Sequence, residues 1–219
     1  MPTIRYKNSA GKRIPGVTTV LGNLGWSTDA LLYWAWDQGI QGKNFRDTSQ
    51  TACDIGTLVH SYVEADIHGK PLPPVPPEFE DQVSNAVLGW MHWKEMSQFK
   101  PLRTEVSLVS DLYDFGGTMD LAAVIGRPTL ADLKTSKGVY ANHKIQIAAY
   151  GWLWDNADRE FIDGEWRPWK PEYPLEGLAL LQVGKEDGSF HYHFWHKLTE
   201  AWEVFEHLLA IHKLKKLVS

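Results

Sequence analysis

Residues 101–134 alternate apolar and polar side chains with a period of two, through three runs separated by only two short turns, and the chain then switches to a helical period. The runs are LRTEVSLVS, then 115–125 (FGGTMDLAAVI), then PTLADLKTS, broken at 111–114 and at Gly126-Arg127-Pro128. Connections this short allow neighbouring strands to pair only antiparallel, so the segment reads as a three-stranded meander. The helical stretch that follows from 141 must cover one face of it. The expected class is α/β, with a central mixed sheet flanked by helices.

The same alternation places charge. In the third run Leu130, Asp132 and Lys134 point one way, and Ala131 and Leu133 the other. Pairing symmetric about Arg127 sets Asp120 opposite Lys134 and diagonal to Asp132. In the first run Glu105 shares a face with Ser107 and Val109. Gln146 and Tyr150 lie four apart on the helix, on one face. An ion-pair ladder on a surface hairpin would carry the same charges. Against it, the two acids interrupt otherwise apolar runs, where an unpaired charge is costly. Gly116-Gly117 also permits a close approach by a backbone or a phosphate. Two acids and a lysine brought together in this way point to metal-dependent cleavage of a phosphodiester.

Upstream, residues 3–8 read as a short strand, with 9–12 as a turn and Pro15-Gly16 leading into the β-branched run 17–20. Ser27 is positioned to cap an amphipathic helix that Gly39 would close. Trp34 and Trp36 in it cannot share a face, so one belongs to the core and one near the surface. A second helix is expected over about 51–68, stopped by Gly69, with Gly56, His60 and Glu64 along one face. Pro-rich 70–77 is an extended connector. It leads to a helix whose Phe79, Val83, Val87 and Trp90 form a core stripe.

Downstream, 155–174 has hairpin character, and EGLALLQV and SFHYHFW are two more strands about a turn at 185–188. His191 and His193 share a strand face, but with no third ligand nearby they read as a partly exposed surface. An amphipathic helix ends the sequence, carrying Lys213, Lys215 and Lys216.

With 219 residues and 43% hydrophobic composition, one elaborated domain is expected over 1–219. Its parts would be a helical portion to about 98, a catalytic sheet and helix over about 99–155, and C-terminal strands and helix over about 175–217. No apolar run approaches membrane-spanning length, so a cytoplasmic protein is expected. A single cysteine, Cys53, excludes an internal disulfide and a four-cysteine iron–sulfur cluster. The net charge of -5 argues against a protein that coats nucleic acid and requires any DNA contact to be local. Clustered metal-binding carboxylates would produce such a deficit.

Taken together, G-T-L-V-H (56–60), G-G-T-M-D (116–120), A-D-L-K-T (131–135) and Q-I-A-A-Y (146–150) resemble the RecB-like branch of the PD-(D/E)xK nuclease superfamily. The nearest look-alikes are the exonuclease-like proteins of phages and the mitochondrial genome maintenance exonuclease. P-G-V-T-T-V-L (15–21), followed by a Trp-containing helix, adds to the likeness, which covers roughly 14–155. The resemblance implies a restriction-endonuclease-like core and a Mg²⁺- or Mn²⁺-dependent exonuclease acting on DNA ends in recombination, repair or replication.

In that reading Asp120 and Asp132 hold one or two ions, joined by the Leu133 backbone carbonyl, His60 and Glu105. Lys134 orients the attacking water and steadies the phosphate. Gln146 and Tyr150 meet substrate phosphate, and Thr135 supports the site. Two-metal cleavage spaces its ions about 3.5–4 Å apart. Iron–sulfur members of the branch are set aside by the single cysteine. No GxxxxGK[ST] occurs, so any unwinding would fall to a partner among recombination or replication proteins.

The expected substrate is DNA, single-stranded or with accessible ends. A basic lip of Lys137, His143 and Lys144, with Tyr140 to stack on a base, is one candidate contact, and the loop carrying Trp166 and Trp169 a second. A structure-specific endonuclease and a non-catalytic DNA-binding or assembly module remain the alternatives.

Overall fold

The computed structural model describes residues 5–218, without the side chain of Lys216. The strand expected over 3–8 therefore falls partly outside the described residues. Within them Lys7 bridges Arg13 antiparallel, and the Gly11 N–H donates to the Asn8 carbonyl at 2.9 Å, giving a small hairpin.

Among the described residues six α-helices and seven strands follow in chain order, with one short 3-10 turn at Pro77–Phe79. The first four helices are α1 (Val17–Leu21), α2 (Thr28–Ile40), α3 (Phe45–His68) and α4 (Glu80–Met96). The meander is β1 (Phe99–Ser110), β2 (Phe115–Ile125) and β3 (Pro128–Lys134), and α5 (Ala141–Asn156) comes next. A hairpin of β4 (Arg159–Ile162) and β5 (Glu165–Pro168) precedes β6 (Gly177–Val183), β7 (Phe190–Trp195) and α6 (Thr199–Val218).

The strands form one mixed sheet, ordered β5-β4-β1-β2-β3-β6-β7. Every pairing is antiparallel except β3 with β6, which the α5 crossover makes parallel. Helices cover both faces, and this is why the central strands are apolar on both sides. On one face α1, α5 and α6 pack Phe115, Ile147, Leu153, Trp154 and Phe205 with Leu108 and Leu130. On the other, Ile55, Val59 and Trp90 of α3 and α4 meet Leu121, Leu133 and Leu181. Each such aliphatic or Phe side chain, fully buried, contributes about 1.5–3 kcal/mol. Trp90 donates through Nε1 to Asp66 at 2.7 Å, and Lys94 donates to the same carboxylate, which ties α4 to α3. No helix among the described residues is long and apolar enough to cross a membrane.

Several local expectations change. The β-branched run 17–20 is helical, because Val17 and Val20 are 1% and 0% exposed and burial outweighs β propensity. Ser27 occupies the N-cap of α2 but makes no side-chain cap bond, and the helix runs past Gly39, with the left-handed residue at Gly42 (φ 70°). Nor is α2 packed as an amphipathic helix: Trp34 is only half-buried, Trp36 is exposed, and Gln38 is its buried residue. α3 begins at Phe45, six residues earlier than expected, because the Asn44 side chain accepts from the Arg46 N–H at 3.0 Å. Gly69 ends it at φ 61°, as the pattern predicts.

The register of β2 and β3 also differs. Val124 pairs with Pro128 and Leu121 with Ala131, so the hairpin is symmetric about Gly126, which adopts φ 73°. Glycine's freedom at positive φ makes it the apex in place of Arg127. Asp120 therefore stands across from Asp132, not Lys134. A shift of two residues preserves which face each side chain takes.

Candidate functional site

Ladder pairing between β2 and β3 stops at Leu121 and Ala131, and the strands splay beyond it. Asp120 fills the gap: its Oδ2 accepts the Leu133 N–H at 3.0 Å, standing in for a strand partner. His60 on α3 brings Nδ1 to 3.5 Å from the same oxygen. On the other side, Thr104 opposite Leu121 and Val106 opposite Met119 set Glu105 across from Asp120. Glu105 has φ 51°, a left-handed conformation that costs an L residue on the order of 1–3 kcal/mol and is held by its surroundings.

Asp132 is 2% exposed. Its Oδ2 lies 2.5 Å from Lys134 Nζ and has no formed hydrogen bond. Burial pushes its carboxyl above the ordinary range, the charge of Asp120 pushes the same way, and Lys134 and His60 oppose both. Glu105 is raised to about 7, first by burial and then by Asp120 and Glu64. Three carboxyl groups thus crowd where like charge is disfavoured. That donor set suits a hard divalent cation, which prefers oxygen ligands and offsets such repulsion. As arranged here, Asp120 is engaged by Leu133 and Asp132 by Lys134, so no three acids or histidines among the described residues form a ready-made cation shell.

Lys134 is held in turn. Its Nζ donates to Gln146 Oε1 at 3.0 Å, and Gln146 Nε2 donates to the Tyr150 hydroxyl at 3.0 Å. Tyr150 is 5% exposed and its hydroxyl is pushed well above its ordinary value by burial, so it stays neutral and braces Gln146 from within the core. The glycine pair on β2 is explained here. A Cβ on Gly117 would stand 2.7 Å from the Tyr150 ring, and one on Gly116 would stand 2.7 Å from Tyr6. The expected close approach of another backbone is made by the Pro15-Gly16 segment, which bridges Gly116 in parallel and accepts the Gly116 N–H at the Pro15 carbonyl at 3.0 Å, and the two tyrosine rings fill the rest of the space. Gly56 does the same for Thr135, whose Oγ1 would be 3.2 Å from an added Cβ.

Above these groups opens a cleft of about 1800 Å³. His60, Glu105, Asp120, Leu133, Lys134 and Thr135 line it, while Asp132, Gln146 and Tyr150 lie behind its wall. The expected basic lip does not line it. Lys137 and Tyr140 are exposed elsewhere, and Lys144 sits over the Trp195 ring at 5.6 Å. His143 is buried and lowered to about 4 by desolvation and by Lys134, so it carries no charge at neutral pH.

The aromatic loop is not at the cleft either. Trp166 packs on Tyr6 and Phe161, and Trp169 on Trp154. His193 bonds Gln182 Oε1 at 3.1 Å, in keeping with a structural strand face. The cations that do line the cleft are Arg5 and Arg13 of the N-terminal hairpin and Lys185 of the β6–β7 turn, beside Lys134. The sequence reading missed all three, since nothing local to them signals that distant hairpins converge.

No protein-family model and no curated protein matches the chain. Among solved structures, the crystal structure of SSO0001 is similar to it with a TM-score of 0.46 and 14% identity, over 100% of this chain and 79% of that one.

Proposed function

We propose that the chain is a metal-dependent deoxyribonuclease of the RecB-like PD-(D/E)xK kind, hydrolysing phosphodiester bonds at DNA ends. The observation that carries this reading is that Asp120 and Lys134 line an open cleft that also holds Arg5, Arg13 and Lys185, with the buried Asp132 paired to Lys134 directly behind them. At about 1800 Å³ the cleft exceeds the roughly 300–1,000 Å³ of small-molecule sites, which favours a polymer.

Asp120, Asp132 and Glu105 would hold Mg²⁺ or Mn²⁺, with His60 and the Leu133 carbonyl beside them. When bound, such an ion polarises the phosphate and supplies hydroxide at neutral pH. Lys134, steadied by Gln146 and through it by Tyr150, positions the attacking water and donates to a phosphate oxygen. Arg5, Arg13 and Lys185 hold flanking phosphates, so a chain with net charge -5 gains a local anion-binding surface.

The test is degradation of end-labelled linear DNA with Mg²⁺ or Mn²⁺. Asp132→Ala and Lys134→Ala should abolish it while binding persists, and a wild type that degrades nothing with either ion overturns the enzyme reading. Circular single strands should survive, and their cleavage would indicate an endonuclease. One observation favours a binding module without turnover: Lys134 already closes Asp132, leaving no preformed cation shell. Retained DNA binding with no turnover would establish that alternative.

A further inference from the structure

The core leaves α2 almost unpartnered. Leu32, Trp36 and Ile40 recur every four residues, forming one stripe, and are 63%, 60% and 63% exposed. The last two turns of α6 carry a second stripe of Ile211, Leu214 and Val218, at 52%, 57% and 84%. Each stripe leaves three large apolar side chains more than half exposed, the kind of clustered apolar surface that marks an interaction site.

The segment leading into α2 meets the end of α6, which sets the two stripes at one corner of α1, α2 and α6. Asn23, five residues ahead of α2, lies with its Nδ2 3.1 Å from His212 Nδ1 on α6. The charges around the stripes differ in sign. Asp29 and Asp37 accompany the α2 stripe, and the helix carries no Lys or Arg. Lys213 and Lys215, both exposed, flank the α6 stripe on either side. An acidic helix is a poor surface for nucleic acid. A surface with one acidic and one basic apolar stripe is instead complementary to itself.

We propose that this corner is the interface of a two-fold symmetric dimer, in which α2 of each copy packs on the end of α6 of the other. A dyad satisfies both stripes at once, as an isologous contact requires. Covering both brings each partner towards the ~800 Å² of a standard interface. The dimer is independent of the nuclease reading, since none of these six side chains lines the cleft.

The test is the mass of the full chain in solution, by sedimentation or light scattering across a concentration series. The wild type should run at twice the chain mass. Trp36→Glu and Leu214→Glu should each weaken association at least tenfold while the circular dichroism spectrum and thermal melt of the dilute chain stay unchanged. Reversing the charges separately, with Asp29→Lys/Asp37→Lys or Lys213→Asp/Lys215→Asp, should also give monomers. Mixing those two variants should restore a dimer. A wild type monomeric at about 100 µM overturns the proposal, as does a dimer that tolerates both glutamates. Failure of the two reversed chains to pair would equally overturn it.

Discussion

Replacing Lys134 by Met tests whether the pair it forms with Asp132 governs the stability of the site. Asp132 is 2% exposed, and it pairs with Lys134 Nζ at 2.5 Å, which is itself 18% exposed. Removing one member of a buried pair while leaving the other charged costs about 3–5 kcal/mol. For a chain of this length, with each kcal/mol worth roughly 2–4 °C, a 3 kcal/mol loss lowers the melting temperature by about 6–12 °C at pH 8.

The sign with pH follows from the direction of the Asp132 shift. Its carboxyl is raised in the folded state, so the penalty for its charge is absent at low pH and develops as pH rises through the folded value. Without Lys134 that folded value rises further. Lys134→Met should therefore melt close to wild type at acidic pH and fall away from it as pH increases. Adding Asp132→Asn removes the orphaned charge, so the double variant should recover most of the loss at pH 8. The assay is thermal unfolding of all four proteins, in chelator, between pH 5 and 8. If Lys134→Met melts with wild type at pH 8, or the double variant is no better than the single, the pair does not act as described.

Other measurements follow from the same geometry. Gly117→Ala should lower stability by roughly 1–3 kcal/mol in a chemical denaturation series, because the Cβ would meet the buried Tyr150 ring at 2.7 Å, while Gly138→Ala, in the half-buried bend before α5 where an added Cβ would meet nothing nearer than the Tyr140 ring at 4.0 Å, should have a far smaller effect. Glu105 is raised to about 7 from 4.5, so its charge weighs on the metal-free fold above pH 7 and not below pH 4.5. Glu105→Gln should raise the melting temperature at pH 8 and leave it unchanged at pH 4. Mg²⁺ or Mn²⁺ at a hundred times its dissociation constant should stabilise wild type by about 2.7 kcal/mol, read as a melting shift of several degrees, and Asp120→Ala should lose that shift. Arg13→Ala should weaken DNA binding and flatten its salt dependence without changing cleavage at saturating DNA, and an unchanged salt slope would remove Arg13 from the substrate path.

The local chemistry of residues 101–150 was legible before any coordinates. Period-two alternation put Leu130, Asp132 and Lys134 on one face and Ala131 and Leu133 on the other, and in the structure Leu130 enters one core, Ala131 and Leu133 enter the other, and Asp132 pairs with Lys134. The Gln146 and Tyr150 spacing likewise placed both on one helix face, where they share a hydrogen bond. Both follow from backbone geometry that a sequence carries in its spacing. The pairing register was not legible to the residue, because it turns on whether Gly126 or Arg127 forms the apex, and only the positive φ of Gly126 decides it.

What no local pattern contained is how strands and hairpins end up relative to one another. The splay after Leu121 and Ala131 turns Asp120 towards the Leu133 N–H, and the strand facing it holds Glu105 in a left-handed conformation. Arg5 and Arg13 reach the cleft from more than a hundred residues away in sequence. Burial likewise decided that the β-branched 17–20 run is helical, and that the apolar stripe of α2 stays outside the core. The sequence by itself determined which groups carry chemistry and which strand face each occupies, because side-chain period is set by the backbone alone. Only the tertiary structure decided which of them meet, because that depends on which faces win burial and where the sheet opens.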